Sequence, residues 1–188
     1  MRVSRAKSVE NKELVLDTAS KLFRQHGFDG IGVADLMKNA GLTVGGFYKS
    51  FESKEDLVAQ ACKCAGEKTL IRWQEHIANP QITDPLKRIA NSYLSTQNRD
   101  QLASTCIFST LAAEVPRHDD AVKKVFHDSV ESVIELLTQI TPGDTTQAKR
   151  ENAIATFSQW LGALILARAA GTGALSEEIL AVSKSAYK

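Results

Sequence analysis

Leu36-Met37-Lys38-Asn39-Ala40-Gly41-Leu42-Thr43-Val44-Gly45-Gly46-Phe47-Tyr48-Lys49-Ser50-Phe51-Glu52-Ser53-Lys54 reads as two short helices folded about a tight turn at Ala40-Gly41-Leu42. Such a helix-turn-helix lays its second helix in the major groove of DNA. Leu36, Ala40, Leu42, Phe47 and Phe51 are spaced to close a small core that sets the angle between the helices. Gly41 permits the turn; Gly45 and Gly46, poor helix formers, let the backbone come close to the groove. Thr43, Tyr48, Lys49 and Ser50 present hydroxyls and one cation, groups that bond phosphate oxygens and base edges. Lys54 falls in the first turn of the next helix, where backbone amides already favour a phosphate.

Outward from this segment, apolar residues recur at three- and four-residue steps nearly throughout, while the 11 glycines and 4 prolines sit at boundaries. The pattern is that of an all-α protein, with no segment reading as a strand. A first helix is expected over about residues 9–26, with Val15, Ala19, Leu22 and Phe23 as its stripe and Gly27 as its left-handed stop. Short helices follow over 33–39 and 44–51. Ser53-Lys54-Glu55-Asp56 has the form of a capping box and opens a helix of about 25 residues that ends before Pro80. Further helices are expected over 85–97, 105–114, 119–140 and 146–170, and from about Ser176, with Thr141-Pro142-Gly143-Asp144 as a turn. Three short helices thus precede a bundle of longer ones, and the chain divides into residues 1–52 and 53–188.

At 188 residues, 43% hydrophobic and 24% charged, the chain can bury a real core. With 23 basic and 22 acidic residues the net charge is +1, which excludes a general polycation. The charge is uneven: residues 1–54 hold nine Lys/Arg against six Asp/Glu, and the first seven hold Arg2, Arg5 and Lys7 with no acid. One modestly basic end on a neutral body points to a polyanion at that end. No apolar run follows the basic start, and the most apolar piece, residues 157–170, is interrupted by Gln159 and Arg168. Neither a secretory signal nor a membrane span is expected. Three cysteines do not make a disulfide framework, so the cytoplasm is the expected compartment. Phosphate loops, nucleophile elbows and paired carboxylates are missing from the pattern, so no catalytic residue, metal or cofactor is expected.

Gly27-Phe28-Asp29-Gly30, Ala34-Asp35-Leu36, residues 40–48 and Phe51-Glu52-Ser53-Lys54-Glu55-Asp56-Leu57 together resemble the N-terminal domain of TetR-family transcriptional regulators, over residues 9–60. Trp160-Leu161-Gly162, late in a long helix, is similar to the segment that pairs two subunits in many members. The resemblance implies a helix-turn-helix domain over 1–52 and a helical ligand-binding and dimerisation domain over 53–188. It also implies a homodimer paired through helices 119–140 and 146–170, a palindromic double-stranded DNA operator, and a repressor released by a small-molecule effector. By that likeness Thr43, Val44, Gly45 and Gly46 fall where members meet base edges and the adjacent backbone. Tyr48, Lys49, Ser50 and Lys54 fall where members grip phosphates, and Phe47 matches a buried position. Three family contacts are missing: many members have a basic residue at Gly45 and a His or Tyr at Ser50, and often a Ser or Thr at Gly32. Arg2, Arg5 and Lys7 are candidates to compensate as an N-terminal arm over the backbone or minor groove.

Beyond the head, Cys106 follows Ser104 and Thr105, either of which can cap the helix it begins. Its sulfur is then placed near free amides that lower a thiol pKa, the setting of an electrophile or oxidant sensor; the plainer reading is a small buried hydrophobe. Trp73, Tyr93, Phe108 and Trp160 are candidate lining for a ligand cavity, or simple core at helical spacing. Cys62 and Cys64 face different sides of one helix and have no His at ligand spacing. His118-Asp119-Asp120, directly after Pro116-Arg117, reads as helix capping, and His76 and His127 as solvated or core-edge residues. Two other classes remain as readings: an enzyme using Cys106 with a His, which lacks any local motif, and a helical interaction module that no longer binds DNA.

Overall fold

The computed structural model describes residues 5–187, which form helices α1 (Arg5–His26), α2 (Val33–Asn39), α3 (Val44–Phe47), α4 (Lys54–Ala78), α5 (Pro85–Tyr93), α6 (Thr96–Asp100), α7 (Phe108–Leu111), α8 (Asp120–Thr138), α9 (Thr146–Ala169) and α10 (Ala174–Ser185). No strand occurs among the described residues. The long helices begin at side-chain caps that satisfy otherwise orphaned amides. Ser53 Oγ accepts from the Asp56 amide at 3.0 Å, Asp119 from the Val122 amide at 3.0 Å and Thr145 from the Ala148 amide at 3.1 Å. The Asp56 carboxylate reciprocates to the Glu52 amide rather than to that of Ser53, at 3.0 Å.

α1 buries Val15, Ala19 and Phe23 and stops at Gly27, whose φ of +78° an L side chain rarely adopts. α1, α2 and α3 close around Phe28, Leu36, Met37, Phe47 and Phe51 to make a head. α4 begins in that head and continues as the spine of the body, packing on α1 and α8; α8 packs on α9, and α9 on α10. The body core is a run of edge-to-face aromatic contacts among Trp73, Tyr93, Phe157, Trp160, Phe108 and Phe126.

Several boundaries depart from the periodicity. α1 begins at Arg5, so Arg5 and Lys7 ride on a helix instead of forming a free arm, and Lys7 pairs with Glu10 one turn on at 3.0 Å. Arg2 lies outside the described residues. α3 is a single turn, with residues 48–50 continuing as turn; its two glycines give the helix little intrinsic support. The 85–97 helix breaks at Leu94, where Ser95 caps a new helix by accepting from the Asn98 amide at 3.1 Å. The 105–114 helix shrinks to Phe108–Leu111 between 3-10 turns at Leu102–Ser104 and Val115–Arg117. Thr105 stays extended, because its hydroxyl is engaged with Asn98 at 2.7 Å instead of capping.

Head and body meet at several bonded points, among them Lys68 Nζ to Asp17 Oδ1 at 3.0 Å. The Phe28 amide donates to Glu114 Oε2 at 2.8 Å, and a Cβ on Gly27 would stand 2.8 Å from Glu114 Oε1. His118 Nδ1 lies 3.0 Å from Glu55 Oε1, and its ring meets Phe28 edge-on at 4.7 Å. Arg24 Nη1 donates to the Thr105 carbonyl at 3.3 Å. Asp119 does cap α8, but its neighbour His118 belongs to this joint.

Candidate nucleic-acid interface and body cavity

The α2–α3 turn follows from its backbone bonds. The Leu42 amide reaches back to the Met37 carbonyl at 2.9 Å and the Gly41 amide to Lys38 at 3.0 Å, a Schellman closure with Gly41 left-handed at φ +69°. Thr43 is then extended and starts α3. Phe47, only 1% exposed, meets Tyr48 edge-on at 5.1 Å and lies 5.4 Å from Phe51, whose other neighbour is the Lys12 ammonium at 5.5 Å. With Phe47 pinned inward, helical geometry turns Thr43, Val44, Gly45, Tyr48 and Lys49 outward. Tyr48 is 71% exposed. Gly46 and Ser50 are half-buried, and Lys54, first residue of α4, is half-buried with Nζ 3.7 Å from Asp29.

A groove of about 780 Å³ runs along this face and is walled by Thr43, Gly45, Lys49 and Ser50 on one side and by Ser8 and Asn11 of α1 on the other. Ser8 and Asn11 did not figure among the residues picked from sequence. The signal for them was there: positions 8, 11 and 15 share one helical face, and Val15 also borders the groove.

The body holds a cavity of about 400 Å³ bounded by Trp73, His76, Tyr93, Asn98, Gln101 and Cys106 among others. Trp73, Tyr93 and Cys106 are therefore in its wall as the sequence suggested. Phe108 and Trp160 are not. Trp160 is fully buried between Tyr93 at 5.8 Å and Tyr187 at 5.5 Å, and Phe108 lies 5.6 Å from both Phe126 and Phe157. Both are core. Asn98 and Gln101 were missed, since only the break after Leu94 brings α6 and the turn after it to the cavity, and His76, one turn beyond Trp73 on α4, was read as solvated or core-edge.

Burial pushes the Cys106 thiol above its ordinary value, against the opposing pull of the Tyr93 hydroxyl and the Phe108 and Ser109 amides. The amides are where the sequence placed them, but desolvation outweighs them. Cys62, equally enclosed, is raised to about 12. The Tyr93 hydroxyl, buried beside the Cys106 sulfur, has no well-formed hydrogen bond of its own.

Thr105 joins this cavity to the rest of the molecule. Its hydroxyl donates to Asn98 Oδ1 at 2.7 Å and accepts from Arg168 Nη2, while its carbonyl accepts from Arg24 of the head. Arg168, on α9, also donates to the carbonyls of Arg99, Ser109 and Asn98. One residue thus contacts the cavity wall, the head helix and α9.

A helical head with one outward-facing single-turn helix, on a separate helical body with its own cavity, is the build of a helix-turn-helix transcriptional regulator. The sequence profile described as "Bacterial regulatory proteins, tetR family" matches residues 15–61, the head. The head of this chain is thus similar to the DNA-binding head of TetR-family regulators. Two Bacillus subtilis proteins, the uncharacterized HTH-type transcriptional regulators YerO and YuxN, are each 35% identical over 54 and 63 residues, or 29% and 34% of this chain. The matched stretch spans only 19% and 22% of their own lengths. The HTH-type transcriptional repressor NemR of Escherichia coli is 28% identical over 184 residues, covering 85% of this chain and 84% of NemR. The crystal structure of E. coli NemR in its reduced form superposes with a TM-score of 0.77 at 25% identity, over 94% of this chain and 96% of that one. All three relatives are named as HTH-type transcriptional regulators or repressors.

Proposed function

We propose that this chain acts in the cytoplasm as a homodimeric repressor that binds a near-palindromic operator through α3 and lets go when a small molecule occupies the body cavity. The observation that carries the reading is the pinning of Phe47, which leaves Thr43, Val44, Gly45, Tyr48 and Lys49 together on an exposed face. Thr43, Val44 and Gly45, with Gly46 behind them, are positioned to meet base edges; Tyr48, Lys49, Ser50 and Lys54 are positioned to hold phosphates.

Pairing is supported by α9. Ile154, Ser158, Leu161, Gly162, Ile165 and Ala169 recur at helical steps along its outer side, and Val130 of α8 is exposed as well. An apolar and small-residue stripe of this kind is suited to a second copy of itself across a two-fold axis. Within each chain Thr105 is bonded to Arg24 of the head and to Arg168 of α9, which links the cavity wall to the DNA-facing head and to the pairing helix. No helix among the described residues is long and apolar enough to cross a bilayer.

A second reading, that the effector is an electrophile or oxidant, rests on the position of Cys106 in the cavity wall alone, since burial raises its thiol pKa and opposes the thiolate. Replacing Cys106 with Ser and challenging the DNA complex with a mild electrophile tests it: unchanged release dismisses the reading. The principal reading is tested by sedimentation and by anisotropy titration with operator duplex at two salt concentrations. A dimer whose affinity falls at least roughly a thousandfold between about 50 and about 200 mM salt is expected. A monomer that binds duplex independently of salt overturns it.

A further inference from the structure

We propose a second ligand site, a cleft between head helix α1 and body helix α4 that binds a small polyvalent anion carrying phosphate or carboxylate groups. The cleft, about 380 Å³, is bordered by Lys21 and Arg24 of α1, by Lys68 and Arg72 of α4, and by Ser104 of the turn between them and α7. Against these four cations stands one carboxylate, Asp17, already committed to Lys21 at 2.6 Å and Lys68 at 3.0 Å. The two arginines have only neutral acceptors: Arg24 bonds Ser20 Oγ at 2.9 Å and the Thr105 carbonyl at 3.3 Å, and Arg72 reaches Thr69 Oγ1 at 3.4 Å. Arg24 Nε is buried with no acceptor.

A buried guanidinium N–H without a partner, inside a cluster of like charge, is an unfavourable arrangement that an anion corrects. Burial, with the nearby Arg72 adding to it, lowers the Arg24 pKa, while the bond to Asp17 keeps the Lys68 pKa raised. An oxyanion with two or more charges fits because the cations converge from two helices, and arginine forks bind phosphate and carboxylate alike.

The site differs from the effector cavity, although Thr69, Arg72 and Ser104 border both. Its two walls belong to different parts of the molecule: α1 is in the head, and Lys68 and Arg72 are in the body. An anion held there ties the head to the body at the angle seen here. It needs neither DNA nor the effector to do so, so it stands apart from the repressor reading.

The test is calorimetric titration of the full chain, free of DNA, with inorganic phosphate and separately with citrate, at constant ionic strength maintained with sodium chloride. Saturable binding of at least one is expected; which one saturates distinguishes a phosphate ligand from a carboxylate ligand. Arg72→Gln is expected to weaken binding roughly tenfold. Asp17→Asn is expected to strengthen it, since the substitution frees both lysines and removes the competing carboxylate. Should Arg72→Gln not fold by circular dichroism, Lys68→Gln takes its place with the same expectation. Binding that fails to saturate with either anion overturns the site, as does binding that both substitutions leave unchanged or that Asp17→Asn weakens.

Discussion

At Gly45, nothing lies within 4 Å of where a Cβ would stand, and the residue is exposed on α3. Gly45→Ala is therefore expected to raise stability by about 0.5–1 kcal/mol, because glycine is a poor helix former. The same methyl is expected to weaken operator binding, since it would stand between the backbone and the groove. Urea denaturation and a DNA titration read the two effects, and their opposite signs separate a contact from a packing role. Lys49→Gln is expected to weaken binding to all duplexes similarly and to reduce the salt slope by about one per subunit. The outward set was legible in sequence because local features orient it: a glycine that must turn left-handed and an aromatic four residues after Thr43 that must go inward. The cavity was only partly legible. Trp160 and Phe108 have the same helical spacing whether they line a void or fill a core, and only the packing of α5, α8, α9 and the terminal Tyr187 decides. Cys106 shows the same division, its amides being local and its desolvation tertiary.

The helices were legible as elements wherever a cap or a glycine marks an end. α2, α4 and α9 begin or end within a residue of the pattern. α1 was not, since Arg5-Ala6-Lys7-Ser8 continues the helix without adding to the apolar stripe. The 95–107 stretch escaped for a different reason: Ser95, Asn98 and Thr105 spend their side chains on bonds to distant or neighbouring backbone and side chains, which break the helix that periodicity alone would extend. Two predictions belong at this scale. Ile165→Glu, in the middle of the α9 stripe, is expected to give a folded monomer with native helicity and an operator affinity lower by at least about a hundredfold, read by sedimentation and titration. Glu114→Ala, at the joint, strips the Phe28 amide of its acceptor and is expected to cost about 1–3 kcal/mol in urea denaturation.

For the molecule as a whole, the head is the basic end and the body the neutral one, as the charge distribution suggested. Under the proposed function, regulation acts across the head–body joint, where Glu114, His118 and Arg24 make bonds between the two parts. An effector that changes the preferred head spacing needs a coupling of only about 1–3 kcal/mol to clear the operator. None of those three bonds was readable from sequence, because each joins residues more than 60 positions apart. The most direct measurement is a selection of bound sequences from random duplexes, followed by counting chains per bound duplex. The account predicts an enriched near-palindrome whose half-sites lie about one helical turn, 10–10.5 base pairs, apart or a multiple of that, with symmetric occupancy by a paired protein. No enriched sequence, or an asymmetric site occupied by a single chain, would contradict it.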